Sequence, residues 1–126
     1  MGVLEGKTAV VTGGGTGIGR AIAKRFRDEG ATVVICGRRE EVLQEALSFI
    51  SSDGSGVSYV VADVTKDADI NKLVDTAKGV GGIDILVNNA AFMRFAPLAE
   101  TDEKSFEELL RVNVLGVWKV MNHVYP

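Results

Sequence analysis

The chain has 126 residues, 46% hydrophobic and 25% charged, a balance that suits one soluble globular domain over residues 1–126. Its formal net charge of −3, with Lys and Arg scattered instead of clustered, offers no basic field to hold nucleic acid. No basic-then-apolar leader opens the chain and no apolar run reaches the roughly 18 residues that span a bilayer, so no membrane association and a cytoplasmic location are expected.

Apolar runs alternate with helical patterns along the whole length. Residues 7–12 read as a strand and 17–29 as a helix whose Ile18, Ile22 and Phe26 share one face, with Gly30 as its stop. A second strand covers 32–37, and a second helix starts near Glu40 with Val42, Leu43, Ala46, Leu47 and Ile50 on its buried stripe. Residues 51–56 form a loop before a third strand at 57–62 and a helix at 67–79, where Ile70, Leu73, Val74 and Ala77 keep the same spacing and Gly79, Gly81 and Gly82 end it. A fourth strand at 83–87, a linker from Asn88 to Thr101 and a last helix at 102–124 complete a βαβαβαβα pattern. The expected fold is α/β: a Rossmann-like doubly wound parallel sheet of order 3-2-1-4, stopping after the fourth βα unit, with helices on both faces and a ligand crevice beside strands one and four.

Between the first strand and first helix lies Thr12-Gly13-Gly14-Gly15-Thr16-Gly17-Ile18-Gly19. Glycines let backbone approach a pyrophosphate closely, and the unpaired N–H groups of a helix start face an anion. The spacing is Thr-Gly-x-x-x-Gly-x-Gly and not Gly-x-Gly-x-x-Gly, because Arg20 stands at the last place of the latter; Gly6-Lys7-Thr8 is no P-loop, since Met1 stands where that motif needs glycine. Cys36, the single cysteine, cannot form an internal disulfide and reads as a small buried hydrophobe. His123 has no metal-ligand or triad partner at useful spacing, so no metal site is expected.

The glycine motif, Asp63-Val64, Asn88-Asn89-Ala90-Ala91 and Asn113 within Val112-Asn113-Val114 together resemble the first half of a classical short-chain dehydrogenase/reductase. Extended members of that family place the second glycine one residue earlier, where this chain has Thr16. The resemblance implies that Gly13, Thr16, Gly17, Ile18 and Gly19 form the pyrophosphate turn, that Asp63 and Val64 meet the adenine ring, and that Asn89 lies along the cofactor ribose. Asp63 also suits a turn or cap on its residue type alone, and Asn88 reads as a structural tie for strand four. Ala91 departs from the family's usual glycine and adds bulk on the nicotinamide side. The matching Asn113 implies a catalytic part: it bends its helix and helps to hold a water in a proton relay, as a buried amide suits.

Cofactor choice follows from charge. Gly37 stands where an NAD-binding acid belongs, and Arg38 and Arg39 come next, so NADP(H) is preferred over NAD(H), with Arg38 as the 2′-phosphate contact. A charge-assisted bond of this kind is worth about 1.5–3 kcal/mol.

The family's Ser and Tyr-x-x-x-Lys are not found: Tyr59 is followed four places on by Asp63, Tyr125 lies one residue from the end, and every serine precedes Asn113. The expected function is the NADP(H)-binding portion of an oxidoreductase acting on a carbonyl or alcohol, its catalytic half lying beyond residue 126 and the chain inactive alone. The rival is a non-catalytic nucleotide-binding or scaffold protein; a methyltransferase would carry an acid after strand two. Phe92 to Pro97 is expected to wall an apolar substrate pocket, and the last helix, apolar nearly all round, to drive homo-oligomerisation along with the open edge of strand four.

Overall fold

The computed structural model describes residues 2–93 and 95–125. Its elements in chain order are β1 (Thr8–Thr12), α1 (Gly17–Asp28), β2 (Thr32–Gly37), α2 (Glu40–Ile50), β3 (Val57–Val61), α3 (Asp67–Gly79), β4 (Ile85–Val87), a 3₁₀ turn (Leu98–Glu100), α4 (Glu103–Leu110), a π-helical turn (Arg111–Gly116) and α5 (Val117–Val124). The four strands form one sheet of order β3-β2-β1-β4, as the alternation of strands and helices requires. All pairings are parallel, with Val10 opposite Val34 and Leu86, and Ile35 opposite Tyr59.

Alternate residues of the central strands divide between two cores. Val11, Val33 and Ile35 pack with Ala23 of α1 and Leu43, Ala46 and Ile50 of α2. Val10, Val34 and Cys36 pack on the other face with Leu73 and Ala77 of α3. A third cluster joins Val64, Ile70 and Val74 to Val120 of α5. Strands buried on both faces explain the unbroken apolar runs of β1 and β2.

Four sequence expectations are corrected. Ile18 is 75% exposed and outside the core, because the first turn of α1 projects past the strand ends; Gly19 and Ala23 are the buried residues of that helix. The fourth strand is shorter than 83–87, since Asp84 turns out of the ladder to accept the Thr8 N–H through Oδ2 at 2.9 Å while its own N–H donates to Thr8 O at 2.8 Å. The apolar run of strand four reads in the sequence as an interior strand buried on both faces, but its residues are half-buried, as befits an edge strand. The last helix is not continuous over 102–124: Asp102 caps α4 by accepting from Ser105 N at 2.8 Å, and the π turn separates α4 from α5.

Leu43 and Ile18 should therefore respond oppositely to truncation. Leu43→Ala is expected to cost about 2–5 kcal/mol and Ile18→Ala less than about 0.5 kcal/mol in urea unfolding.

Candidate functional site: a cleft at the carboxyl ends of the strands

The sheet changes its direction of growth between β1 and β4, so the segments leaving these strands diverge and open a crevice. A cleft of about 450 Å³ lies there, lined by Gly13, Thr16, Arg38, Asp63, Val64 and Asn89 among others. Six of the residues singled out in the sequence thus meet in one space.

The glycine turn is shaped by what surrounds it. Gly13 and Gly14 donate their N–H groups to Cys36 O at 2.9 and 3.3 Å, fastening the turn to the end of β2. Gly13 has φ +67°, and a Cβ there would come within 2.9 Å of Asn89 Nδ2. Gly17 has φ +53° with open space around it, so its requirement is conformational. At Gly19 a Cβ would collide with Gly13 O and Asn89 Nδ2. Among the described residues, nothing accepts the N–H groups of Thr16, Gly17, Ile18 or Gly19. These leave a mouth of unpaired N–H donors at the positive end of a twelve-residue helix. Gly17, Ile18 and Gly19 sit on this mouth and do not line the cleft itself.

Thr12, which the sequence placed in the motif but gave no role, is the tie between β1 and β4. Its Oγ1 accepts from Asn89 N at 3.0 Å and Ala90 N at 2.9 Å, and donates to Val87 O at 3.4 Å. Asn89 returns a bond from Nδ2 to Gly13 O at 3.1 Å. The tie expected of Asn88 thus belongs to Asn89; Asn88 is exposed, and no side-chain hydrogen bond joins it to the described residues. The signal was Thr12 itself, a buried hydroxyl that must find partners.

Asp63 serves the turn as well as the cleft. Its Oδ1 accepts from Thr65 N at 2.9 Å and Thr65 Oγ1 at 2.7 Å, and its own N–H donates to Asp69 Oδ2 at 2.8 Å. Burial is the largest influence and pushes the carboxyl up, but the Thr65 bonds together with the Arg38 and Lys66 charges outweigh it and hold it below its usual range. A carboxyl depressed in the folded state adds stability at neutral pH that is lost as pH falls through its folded value. Across the cleft, burial pushes the Cys36 thiol up to about 12 against a smaller opposing pull from the Gly13 backbone, so it is an inert core group as expected.

Arg38 and Arg39 are exposed at the end of β2 and both line the cleft, and among the described residues neither forms an ion pair. Asn113 does not line the cleft, although its neighbour Val112 does. Its amide was expected to be buried; it is exposed, because no described residue covers the outer side of the π turn, and both its polar atoms are engaged. Oδ1 accepts from Phe92 N and Nδ2 donates to Phe92 O, each at 2.8 Å. Of the expected substrate wall, Met93 and Phe95 are 69% and 90% exposed, and Arg94 lies outside the described residues. His123 contacts Lys119 O through Nδ1 at 2.7 Å, and no metal-holding cluster exists among the described residues.

Fold and cleft together define a Rossmann-type α/β protein of the dinucleotide-binding kind. The chain belongs to the short-chain dehydrogenase family, whose model matches residues 7–126. It is 37% identical over 124 residues to the uncharacterized oxidoreductase YxjF of Bacillus subtilis, covering 98% of this chain and 48% of that protein. It is 43% identical over 117 residues to the short chain dehydrogenase/reductase dpmpG of Macrophomina phaseolina, covering 90% of this chain and 66% of that one. The crystal structure of 3-ketoacyl-(acyl-carrier-protein) reductase from Brucella melitensis complexed with NADH superposes with a TM-score of 0.90 at 34% identity, over 98% of this chain and 50% of that one. The chain spans about half the length of most of these relatives. It is a member of an oxidoreductase family that uses nicotinamide cofactors, and no helix among the described residues is long and apolar enough to cross a membrane.

Thr12→Val keeps the shape of the β1–β4 tie but strands the Asn89 and Ala90 N–H groups. A loss of about 2 kcal/mol or more is expected in urea unfolding, with faster hydrogen exchange at those two amides.

Proposed function

We propose that this chain is the NADP(H)-binding portion of a short-chain oxidoreductase that acts between a nicotinamide and a carbonyl or alcohol. The free N–H groups of residues 16–19 would hold the pyrophosphate, Asp63 and Val64 the adenine, and Asn89 the ribose. A bound nicotinamide supplies or accepts the hydride. Asn113 contributes by holding the π turn against the Phe92 backbone, where helix carbonyls released from the regular pattern are suited to orient a water. The proton-transferring Ser and Tyr-x-x-x-Lys implied by the family do not occur in these residues, so residues 1–126 alone are not expected to turn over a carbonyl.

The observation that carries the cofactor choice is a niche of about 90 Å³ beside the main cleft, lined by Gly15, Gly37, Arg38 and Arg39 among others. No carboxylate lines it among the described residues. A 2′-phosphate there would meet a guanidinium and no like charge, whereas an NAD-selective site presents an acid at this place. NADH in the Brucella protein speaks for the shared nicotinamide dinucleotide frame; the phosphate preference rests on Gly37 and Arg38 of this chain.

We also propose a cytoplasmic, self-associating protein. Leu110, Val114, Trp118 and Met121 are 46–61% exposed along one side of the last helices, a surface suited to a second copy.

Calorimetric titration should find NADPH bound about ten- to a hundredfold more tightly than NADH, and Arg38→Asp should abolish or reverse that order. Equal affinity of the unaltered chain for both coenzymes overturns the preference, and no heat from either overturns the cofactor reading. On light scattering the chain should run as a dimer or larger species; a monomer that stays soluble on concentration argues against self-association.

A further inference from the structure

The π turn contacts two separated segments that border the cleft. On one side Asn113 grips both backbone groups of Phe92, in the segment that leaves β4. On the other, Gly116 is buried, and a Cβ added to it would stand 2.9 Å from Val64 Cγ2 and 3.5 Å from Val64 O. Val64 is itself 7% exposed, lines the cleft, and follows Asp63, whose carboxylate and N–H are both fixed. α5, which continues from the turn, is tied to the start of α3: Lys119 Nζ lies 3.0 Å from Asp67 Oδ1.

We propose that Gly116 is a positioning residue for the adenine end of the cofactor cleft. Its missing side chain lets the π turn seat directly on Val64, so that one helix segment sets the spacing between the Asp63–Val64 wall and the Phe92 backbone. Gly116 closes the turn three residues after Asn113, and a regular α-helical course, at about 100° per residue against the wider π turn, would rotate one relative to the other. The contacts of Gly116 with Val64 and of Asn113 with Phe92 are thus set together by the turn. The glycine and the π turn are therefore two halves of one device. Val64 is held from below by Ile70 and Val74 in the same cluster, and a methyl group on residue 116 cannot be absorbed without moving it.

The inference rests on the cofactor reading above, and a complementing pair of variants separates the two. In Gly116→Ala, the affinities for NADPH and for adenosine 2′,5′-bisphosphate are both expected to fall about tenfold. Removing the obstructing methyl groups in Val64→Ala/Gly116→Ala should bring both affinities back to those of Val64→Ala alone. The ligand-free chain should report the same geometry, with the Thr65 and Phe92 amide resonances displaced in Gly116→Ala and restored toward Val64→Ala positions in the double variant. Binding by Gly116→Ala equal to that of the unaltered chain overturns the proposal, as does a double variant that recovers nothing. If Gly116→Ala does not fold, a folded double variant supports the proposal and an unfolded one overturns it. If the unaltered chain binds no coenzyme, the cofactor reading has failed. The resonance pattern then decides the seating of Gly116 on Val64 by itself.

Discussion

Everything in the cleft depends on backbone meeting backbone where β1 and β4 end. Gly13 O receives the Asn89 amide, and the same amide and carbonyl occupy the space that a Cβ on Gly19 would need. Thr12 Oγ1 holds two N–H groups of the segment leaving β4. The approach is too close for side chains, so the glycines of the motif serve two ends. Gly17 supplies a left-handed turn, while Gly13 and Gly19 leave room for the neighbouring strand's exit. With the turn drawn in, four N–H groups at the mouth of the crevice are left without a protein acceptor among the described residues. A row of unpaired donors suited to an anion thus results from packing constraints, before any ligand is considered.

This distinguishes what could be read from residues from what could not. Strand order, the glycine turn and the place of Arg38 were legible because they follow from period, chirality of crossover and position relative to strand ends, whereas Asp63 and Asn89 joined them through the family resemblance. Ile18 was misplaced because periodicity assigns a face without saying where a helix leaves the core; its 75% exposure reflects a first turn beyond the sheet. Asp84 belongs to an apolar strand pattern, yet its carboxylate competes for the Thr8 N–H and shortens the ladder, a local bond that pattern reading does not weigh. The π turn was equally hidden. One extra residue in a helical turn alters no composition, and the bend foreseen at Asn113 named its place without its geometry.

Asp63 illustrates why a functional and a structural reading of one residue need not compete. The Asx-type bonds to Thr65 use one carboxylate oxygen, and its N–H is taken by Asp69. Those bonds spend the residue's local freedom and leave it as a fixed, ionised edge of the cleft, with Arg38 near enough to be felt in its protonation. A side chain that merely capped a turn would not need to face the cleft; one that served only a ligand would lose more entropy when it bound.

The last helix carries the structure's main imbalance. Val120 is fully enclosed against α3, while Trp118, two residues away, is 56% exposed and Val114 61%. One side of the segment is therefore fastened to Val64 and the Phe92 segment, and the other presents apolar surface that water penalises at about 25 cal/mol per Å². Whatever covers that outer side bears on a segment whose inner side lines the cleft with Val112 and backs its Val64 through Gly116. Because close-packed elements shift as units and do not yield smoothly, covering the outer surface and ordering the cleft are mechanically joined through the same π turn. On the proposed reading, a second copy that holds the helix in its seated position would favour the coenzyme, and a bound coenzyme would strengthen that contact by the same factor.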